Sequence, residues 1–171
     1  MSHDEEWFDV VDRHDQVIDR QTRRVVHEQG LRHRAIHVLV FNQAGQVFLQ
    51  KRAMTKDASP GLWDSSCSGH VDAGEDYDTA AQRELLEELG VEASHELQRL
   101  THLEASPETT QEFIGVYRLQ HEGPFVLDPV EIEAGDWITT EALNHQIKQT
   151  PTVFCPVFRH VWTIVGGLGA T

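Results

Sequence analysis

The sequence predicts a single α/β domain in which helices cover a mixed β-sheet. The chain has 171 residues, enough for one well-buried core and short for two. Segments with strand patterns and segments with helix patterns follow one another without strict alternation, which argues against a doubly wound parallel sheet. We divide the domain into an N-terminal hairpin with a short helix, residues 1–30, and a core with C-terminal helices, residues 31–171.

The first elements follow from local patterns. The segment "WFDVVDRHDQVIDR" predicts two short strands about a turn near His14 and Asp15. "TRRVVHEQG" predicts a short helix with Thr22 as its cap and Gly30 as its stop. From Ala35, β-branched and aromatic residues flank the turn "NQAG", and this predicts a hairpin over "AIHVLVFNQAGQVFLQKR". "PGLWDSSCSGHV" predicts a loop and then an extended segment.

An acidic helix is predicted next, over residues 77–89, because Asp76 can cap its first turn and Gly90 can take the left-handed stop. Helical spacing places Glu84, Glu87 and Glu88 on one side of this helix. An apolar stripe lies on another side and consists of Ala81, Leu85, Leu86 and Leu89. Strands are predicted in "HELQRLTHLEA", "EFIGVYRLQ" and "EIEAGDWIT", and helices over "TEALNHQIKQ" and "VFRHVWTIV".

Composition excludes some functions. The chain carries 28 acidic and 14 basic residues, a formal net charge of −14, and such a surface repels nucleic-acid backbones. The two cysteines, Cys67 and Cys155, are too few for a disulfide framework and lack metal-ligand spacing. The acidic N-terminus is unlike a signal peptide, and the late apolar segment "VWTIVGGLGA" is short and broken by glycine. We therefore expect a cytoplasmic protein with no membrane or nucleic-acid partner.

The acidic helix carries the main functional signal. From Asp72 to Glu88 there are seven acids and one base, Arg83. An isolated E-x-x-E-E pattern is usually a solvated face. The i,i+4 pair Glu84 and Glu88, however, is destabilising by roughly 0.2–0.5 kcal/mol unless something lies between the two charges. A divalent cation would remove the conflict, and clustered carboxylates suit Mg²⁺ better than histidine or thiolate ligands do.

A family resemblance enters at this point. The segment "GHVDAGEDYDTAAQRELLEELGV" resembles the Nudix signature at every fixed position, namely Gly69, Glu75, Arg83, Glu84, Leu85, Glu87, Glu88, Gly90 and Val91. The resemblance implies an α/β/α sandwich and Mg²⁺-dependent hydrolysis of a diphosphate linked to another group. The implied substrate is a small phosphorylated molecule, most simply a nucleoside di- or triphosphate or a related nucleotide derivative.

The resemblance also implies roles for individual residues. The metal ion, Mg²⁺ with Mn²⁺ as an alternative, is expected on Glu84, Glu87 and Glu88, with the Gly69 carbonyl as a further ligand. Either Glu84 or Glu88 is expected to position or deprotonate the attacking water.

Two further charged residues have implied roles. Arg83 is expected to pair with Glu75 and brace the loop against the helix. Glu112, which opens a predicted strand and could face the helix, is a candidate metal ligand or base from beyond the signature.

Outside the signature, "LRHRAIHVLVFNQAGQVFLQKRAMTKDASPGLWDSSCSGH" resembles the isopentenyl-diphosphate isomerase branch and its hydrolase relatives. The resemblance implies that Arg52 and Lys56 contact the diphosphate. The isomerase uses a cysteine at the position of Ser68, and Cys67 lies one residue away, which in a strand turns it to the opposite face. This departure and the complete glutamate motif favour a hydrolase.

Several alternatives stay open. His27, His33 and His70 fall near the isomerase's histidine metal ligands, whereas Thr110 replaces a further glutamate ligand. The alternatives to hydrolysis are an isomerase of this type and a non-catalytic nucleotide-binding module. The sequence is compatible with a monomer or a homodimer.

Overall fold

The computed structural model describes residues 5–93 and 95–166. The strands and helices are β1 (Trp7–Val11), β2 (Val17–Thr22), α1 (Arg23–Gln29), β3 (His33–Phe41), β4 (Gln46–Arg52), β5 (Trp63–Asp64), β6 (Cys67–His70), α2 (Tyr77–Leu89), β7 (Gln98–Leu103), β8 (Glu112–Gln120), β9 (Ile132–Thr139), α3 (Thr140–Gln149) and α4 (Pro156–Val165). Two 3₁₀ turns, which the sequence did not predict, lie at Pro107–Thr109 and Pro151–Val153.

Strand β3 is the centre of a seven-stranded sheet. It pairs in parallel with β8, and antiparallel with β4 at one end and with β6 at the other. Strand β7 extends the sheet beyond β8, while β5 and β9 pair with β4. The predicted mixed sheet is confirmed. Strands β1 and β2 form a separate two-stranded sheet.

Alternation along β3 builds two cores, one on each face of the sheet. Leu39 and Phe41 point to the face that α3 and α4 cover, where they meet residues such as Phe158. Val38 and Val40 point to the opposite face, which α2 covers. The sheet is therefore enclosed by helices on both sides, and the predicted α/β/α sandwich is confirmed.

Helix α2 has the predicted bounds and ends. The Asp76 carboxylate accepts a hydrogen bond from the Thr79 amide at 2.8 Å, and Gly90 adopts φ 68°. One part of the predicted apolar stripe is wrong: Leu86 is 50% exposed, and Ala80 is buried in its place. Ala81, Leu85 and Leu89 are buried as predicted, so the buried face is the predicted one with one edge shifted.

Most other predicted elements are confirmed with small changes at their ends. Strand β7 begins at Gln98, later than the pattern suggested. Thr22 occupies the N-cap position of α1, but its side chain makes no capping hydrogen bond, whereas Gly30 ends the helix with φ 61°. No helix in the described parts of the chain has the length and apolarity that a bilayer crossing requires. The end of the apolar segment, residues 167–170, lies outside the described residues.

The N-terminal hairpin is attached to the body of the protein through its backbone. The Val11 amide donates to the Arg32 carbonyl at 2.9 Å, and the Ala73 amide donates to the Trp7 carbonyl at 2.8 Å. Phe8 of β1 is fully buried. The hairpin thus reaches both the start of β3 and the loop before α2, the two segments that border the site described next.

Candidate active site

A cavity of about 620 Å³ opens where α1, β3, β4, β6, α2 and β8 converge. Three groups of charged or titratable residues line it. We call Glu84, Glu87 and Glu88 the glutamate cluster, and His27, His33, His70 and Glu112 the histidine cluster; the third group is the cations Arg23, Arg52 and Lys56.

The glutamate cluster depends on a glycine in β6. A Cβ atom added to Gly69 would lie 2.2 Å from Cδ of Glu84, so a side chain at this position would exclude that carboxylate. Glu84 and Glu88 are largely buried, with side-chain exposure of 13% for Glu84 and residue exposure of 6% for Glu88, whereas the Glu87 side chain is 57% exposed. The carboxylates of Glu84 and Glu88 therefore lie in the wall of the cavity, and the more exposed carboxylate of Glu87 lies at its edge.

Arg83 connects this cluster to the preceding loop. Its Nε and Nη2 donate to the two carboxylate oxygens of Glu75, both at 2.9 Å, which is the expected pairing. Its Nη1 donates to Glu84 Oε1 at 2.7 Å and to Glu87 Oε2 at 3.3 Å. Arg83 is thus a bracing residue that offsets part of the negative charge.

Burial makes the two inner glutamates hard to ionise together. It raises the pKa of Glu88 to about 7, although hydrogen bonds from Gln50 and Ser68 oppose the rise. Burial and the charge of Glu88 hold the pKa of Glu84 well above its usual range, with Arg83 acting in the opposite direction. A pair of hard carboxylates in this state fits a divalent cation such as Mg²⁺, which favours the ionised form of both.

The histidine cluster draws its members from four elements, α1, β3, β6 and β8. One potential ligand atom from each residue lies within 4.8 Å of all the others. Glu112 Oε1 is 3.2 Å from His70 Nε2 and 3.4 Å from His33 Nε2. Phe8 stacks on His70 with ring centroids 4.6 Å apart, so the hairpin forms one wall of the cluster.

Electrostatics keep the cluster suited to metal binding. Burial, followed by the charges of His70 and His33, lowers the pKa of His27 to about 4, and burial also lowers the pKa of His70. Burial acts to raise the pKa of Glu112, but its interactions with His33 and His70 outweigh burial, so this pKa is lowered. Neutral imidazoles at His27 and His70 beside the ionised Glu112, with the buried His33 Nε2 making no hydrogen bond of good geometry among the described residues, fit a transition-metal ion.

Glu112 lines the same cavity as the glutamates of α2. The parallel pairing of β3 with β8 sets Glu112 opposite His33, and its recorded contacts are with the histidines. Its predicted role as a ligand or base for the glutamate-bound metal stays a prediction.

The cations line the same cavity. Arg52 Nη1 donates to Asp64 Oδ2 at 3.0 Å, and Lys56 pairs with Glu131. Sequence reasoning missed Arg23, which is only 8% exposed and whose Nε is buried without a hydrogen-bond partner among the described residues. Its position four residues before His27, on the same face of α1, was the available signal.

The residue at the position of the isomerase cysteine, Ser68, helps to distinguish isomerisation from hydrolysis. Ser68 lines the cavity, and its Oγ lies 3.4 Å from Asp64 Oδ2. Cys67 is fully buried in the core beneath α2, where burial raises the pKa of its thiol well above the ordinary value. Cys67 does not line the cavity as Ser68 does, which agrees with the predicted change of face, but its thiol donates a hydrogen bond to the Glu88 carboxylate.

Comparison with known proteins agrees with this site. A model of the NUDIX domain family matches residues 31–158. The chain belongs to the Nudix family. This Nudix match begins just after α1, so the family range contains the glutamate cluster but leaves out Arg23 and His27.

Individual relatives cover both chemistries of this Nudix branch. The chain is 35% identical over 171 residues to the isopentenyl-diphosphate delta-isomerase of Serratia proteamaculans. This alignment covers 97% of this chain and 93% of that relative. It is 33% identical over 139 residues to an uncharacterized Nudix hydrolase of Yersinia pestis, covering 81% and 76%. The crystal structure of a Deinococcus radiodurans protein matches with a TM-score of 0.77 and 30% identity, covering 85% and 90%. The family and its hydrolase members identify this Nudix chain as a hydrolase of pyrophosphate bonds.

Proposed function

We propose that the protein is a Mg²⁺-dependent Nudix pyrophosphohydrolase that cleaves the diphosphate linkage of nucleoside di- or triphosphates or related nucleotide derivatives. The observation that carries the proposal is the arrangement of one cavity. Buried, hard-to-ionise glutamates line it beside three cations, Arg23, Arg52 and Lys56. The glutamates suit a metal ion, and the cations suit phosphate oxygens.

Glu84, Glu87 and Glu88, with the Gly69 carbonyl, would hold the cation, which supplies charge neutralisation at the phosphoryl oxygens when bound. Arg52 and Lys56 would bind the phosphates, and Arg23, with its unpartnered Nε, adds a third donor. Each of these cations already has an acidic neighbour, so phosphate must compete for them.

The proton of the attacking water requires an acceptor. Glu84 or Glu88 would take it, because both carboxylates line the cavity beside the proposed cation and a carboxylate in its ionised form can accept a proton. Arg83, tied to Glu75 by two hydrogen bonds, would hold the first turns of the motif in place while the proton moves.

The test is a product-release screen over nucleoside di- and triphosphates, nucleotide sugars, dinucleoside polyphosphates and prenyl diphosphates, with and without Mg²⁺. We expect turnover of at least one nucleotide class that EDTA abolishes. Running the reaction in ¹⁸O-water would identify which phosphorus is attacked. Nucleotide binding without turnover would instead support a non-catalytic module. The complete glutamate motif argues against such a module.

A second candidate function is isomerisation of an isopentenyl-diphosphate-like substrate. The assembled histidine cluster favours it, since this arrangement lies in the same cavity as the cations. Ser68 disfavours it, because a serine hydroxyl is a much weaker acid than the thiol expected there. Solvent deuterium incorporated into isopentenyl diphosphate would establish the isomerase and displace the hydrolase proposal.

The compartment follows from the cysteines. Both are buried free thiols, and we propose a reducing, cytoplasmic setting on that basis. The proposed partner is a small phosphorylated substrate, and we propose that the protein acts as a monomer or a homodimer.

A further inference from the structure

Gln50 is a buried polar residue without a role in the hydrolysis described above. It lies in β4, in register with Asp64 of β5 on one side and Gly135 of β9 on the other, and is 2% exposed. A buried amide is costly unless its hydrogen-bonding groups find partners. The partners of Gln50 therefore indicate what its side chain is there to do.

The side-chain amide reaches the glutamate cluster. Gln50 Nε2 donates to Glu88 Oε2 at 2.9 Å and, with longer geometry, to the Ser66 carbonyl at 3.4 Å. A carboxylate can only accept, so the nitrogen of the amide must face Glu88 when Glu88 is ionised.

The second partner fixes the amide in space. Ser66 is fully buried, its Oγ accepts a hydrogen bond from the Val40 amide at 2.8 Å, and its hydroxyl donates to the Phe48 carbonyl. Ser66 is thus tied to both β3 and β4. Gln50, held against the Ser66 carbonyl, has little freedom to move away from Glu88.

The contacts at Glu88 are asymmetric. The Ser68 amide donates to Oε2 at 3.3 Å, so two nitrogen donors meet the same carboxylate oxygen. The buried Cys67 thiol is a further, weaker donor to this carboxylate. The two nitrogen donors therefore fix Glu88 by Oε2.

We propose that Gln50 is a positioning residue, which holds Glu88 by Oε2 and thereby orients the carboxylate that would bind the divalent cation. This inference rests on the proposed metal-dependent function. It explains why a polar side chain occupies this buried position in the sheet. An apolar residue there would avoid the free-energy cost of removing an amide from water. Groups that orient metal ligands typically matter by about 10- to 100-fold in metal affinity or activity.

The test uses the full-length protein with Gln50→Met, which keeps the side-chain length but removes the donor. Mn²⁺ is titrated at pH 8 by calorimetry and by electron paramagnetic resonance of the free ion. We expect the dissociation constant of the variant to be about 10- to 100-fold weaker than that of the parent. We also expect kcat to fall with little change in KM for the nucleotide, since the phosphate-binding cations are untouched.

Gln46→Met is the matched control. Gln46 lies in the same strand, and its side chain bonds Asn42 outside the cavity. Its Mn²⁺ affinity should equal that of the parent. If Gln50→Met binds Mn²⁺ as tightly as this control, Gln50 does not position Glu88 and the inference is wrong.

Two outcomes remain distinct. A parent protein that binds no Mn²⁺ overturns the proposed function itself, and this inference with it. Should Gln50→Met fail to fold, Gln50→Asn keeps the amide but shortens it by one methylene, so it can no longer reach both partners. Unchanged affinity in Gln50→Asn would then refute the positioning role.

Discussion

The glutamate cluster and the histidine cluster lie in one cavity but are assembled in opposite ways. The three glutamates come from adjacent turns of a single helix, α2, so their mutual spacing is set by helical geometry alone. Each member of the histidine cluster comes from a different element, α1, β3, β6 or β8, so no two members meet until the elements that carry them pack together. The first is a local property of the sequence, and the second is a property of the tertiary structure.

The clusters also differ in their response to protons. Burial raises the pKa of Glu88 and lowers that of His27. Glu84 and Glu88 are therefore biased toward their neutral, protonated form until a cation arrives, whereas His27 and His70 are biased toward their neutral, unprotonated form. The difference indicates that these two glutamates depend on a metal ion for their charge balance far more than these two histidines do.

The largest expected effect is that of Glu84→Gln. Removing this carboxylate takes away a proposed metal ligand without changing side-chain volume, and we expect kcat in Mg²⁺ to fall about 10²- to 10³-fold. Steady-state kinetics on the nucleotide found by the screen would measure it. Glu92→Gln, an exposed residue just beyond α2, should leave kcat unchanged. Near-normal turnover in Glu84→Gln would place the active centre elsewhere.

A smaller effect is expected from His27→Ala, which removes the most accessible member of the histidine cluster. The affinity for Zn²⁺ should fall by at least about tenfold, while Mg²⁺-dependent hydrolysis changes little. Calorimetric titration with Zn²⁺ would measure this, with His145→Ala on α3 as the control. If hydrolysis falls as far as in Glu84→Gln, the two clusters act as one centre and the contrast between them is wrong.

The smallest effect concerns stability without metal. Because the folded-state pKa of Glu88 is raised from 4.5 to about 7, its stabilisation is full below pH 4.5 and is lost as the pH rises through 7. Glu88→Gln should remove that loss. The metal-free variant should melt higher than the parent at pH 8, by on the order of 5 °C, and equally at pH 4.

The histidines give the opposite trend in the same melting curves. His27 has a lowered folded-state pKa of about 4, so its contribution is full above pH 6.5 and is lost as the pH falls toward 4. Glu88→Gln should leave this acidic limb in place. A variant whose melting temperature follows the parent at every pH would show that Glu88 is not strained by burial.

The sequence was sufficient for the local features of the site. The bounds of α2, its Asp76 cap and its Gly90 stop follow from chemistry within a few residues. The Gly69 requirement follows from the signature, and the geometry supplies its reason, since any side chain there would collide with Glu84. The period-two argument also separated Cys67 from Ser68 correctly.

The remaining features depend on contacts distant in sequence. The parallel register of β3 with β8 decides that Glu112 meets His33, and no local pattern encodes that pairing. Leu86 was assigned to the core because an apolar stripe covers a broad arc, and only packing selects which edge of the arc is buried. Arg23 was overlooked because its burial comes from tertiary structure.

The hairpin at the start of the chain has a practical consequence. A recombinant fragment trimmed to the family range, beginning at residue 31, would retain every glutamate of the signature. It would lack Phe8, which packs on the histidine cluster. It would also lack the cation Arg23 and the potential metal ligand His27. Such a minimal fragment would lack part of the cavity wall, and we expect its substrate range to differ from that of the 171-residue chain.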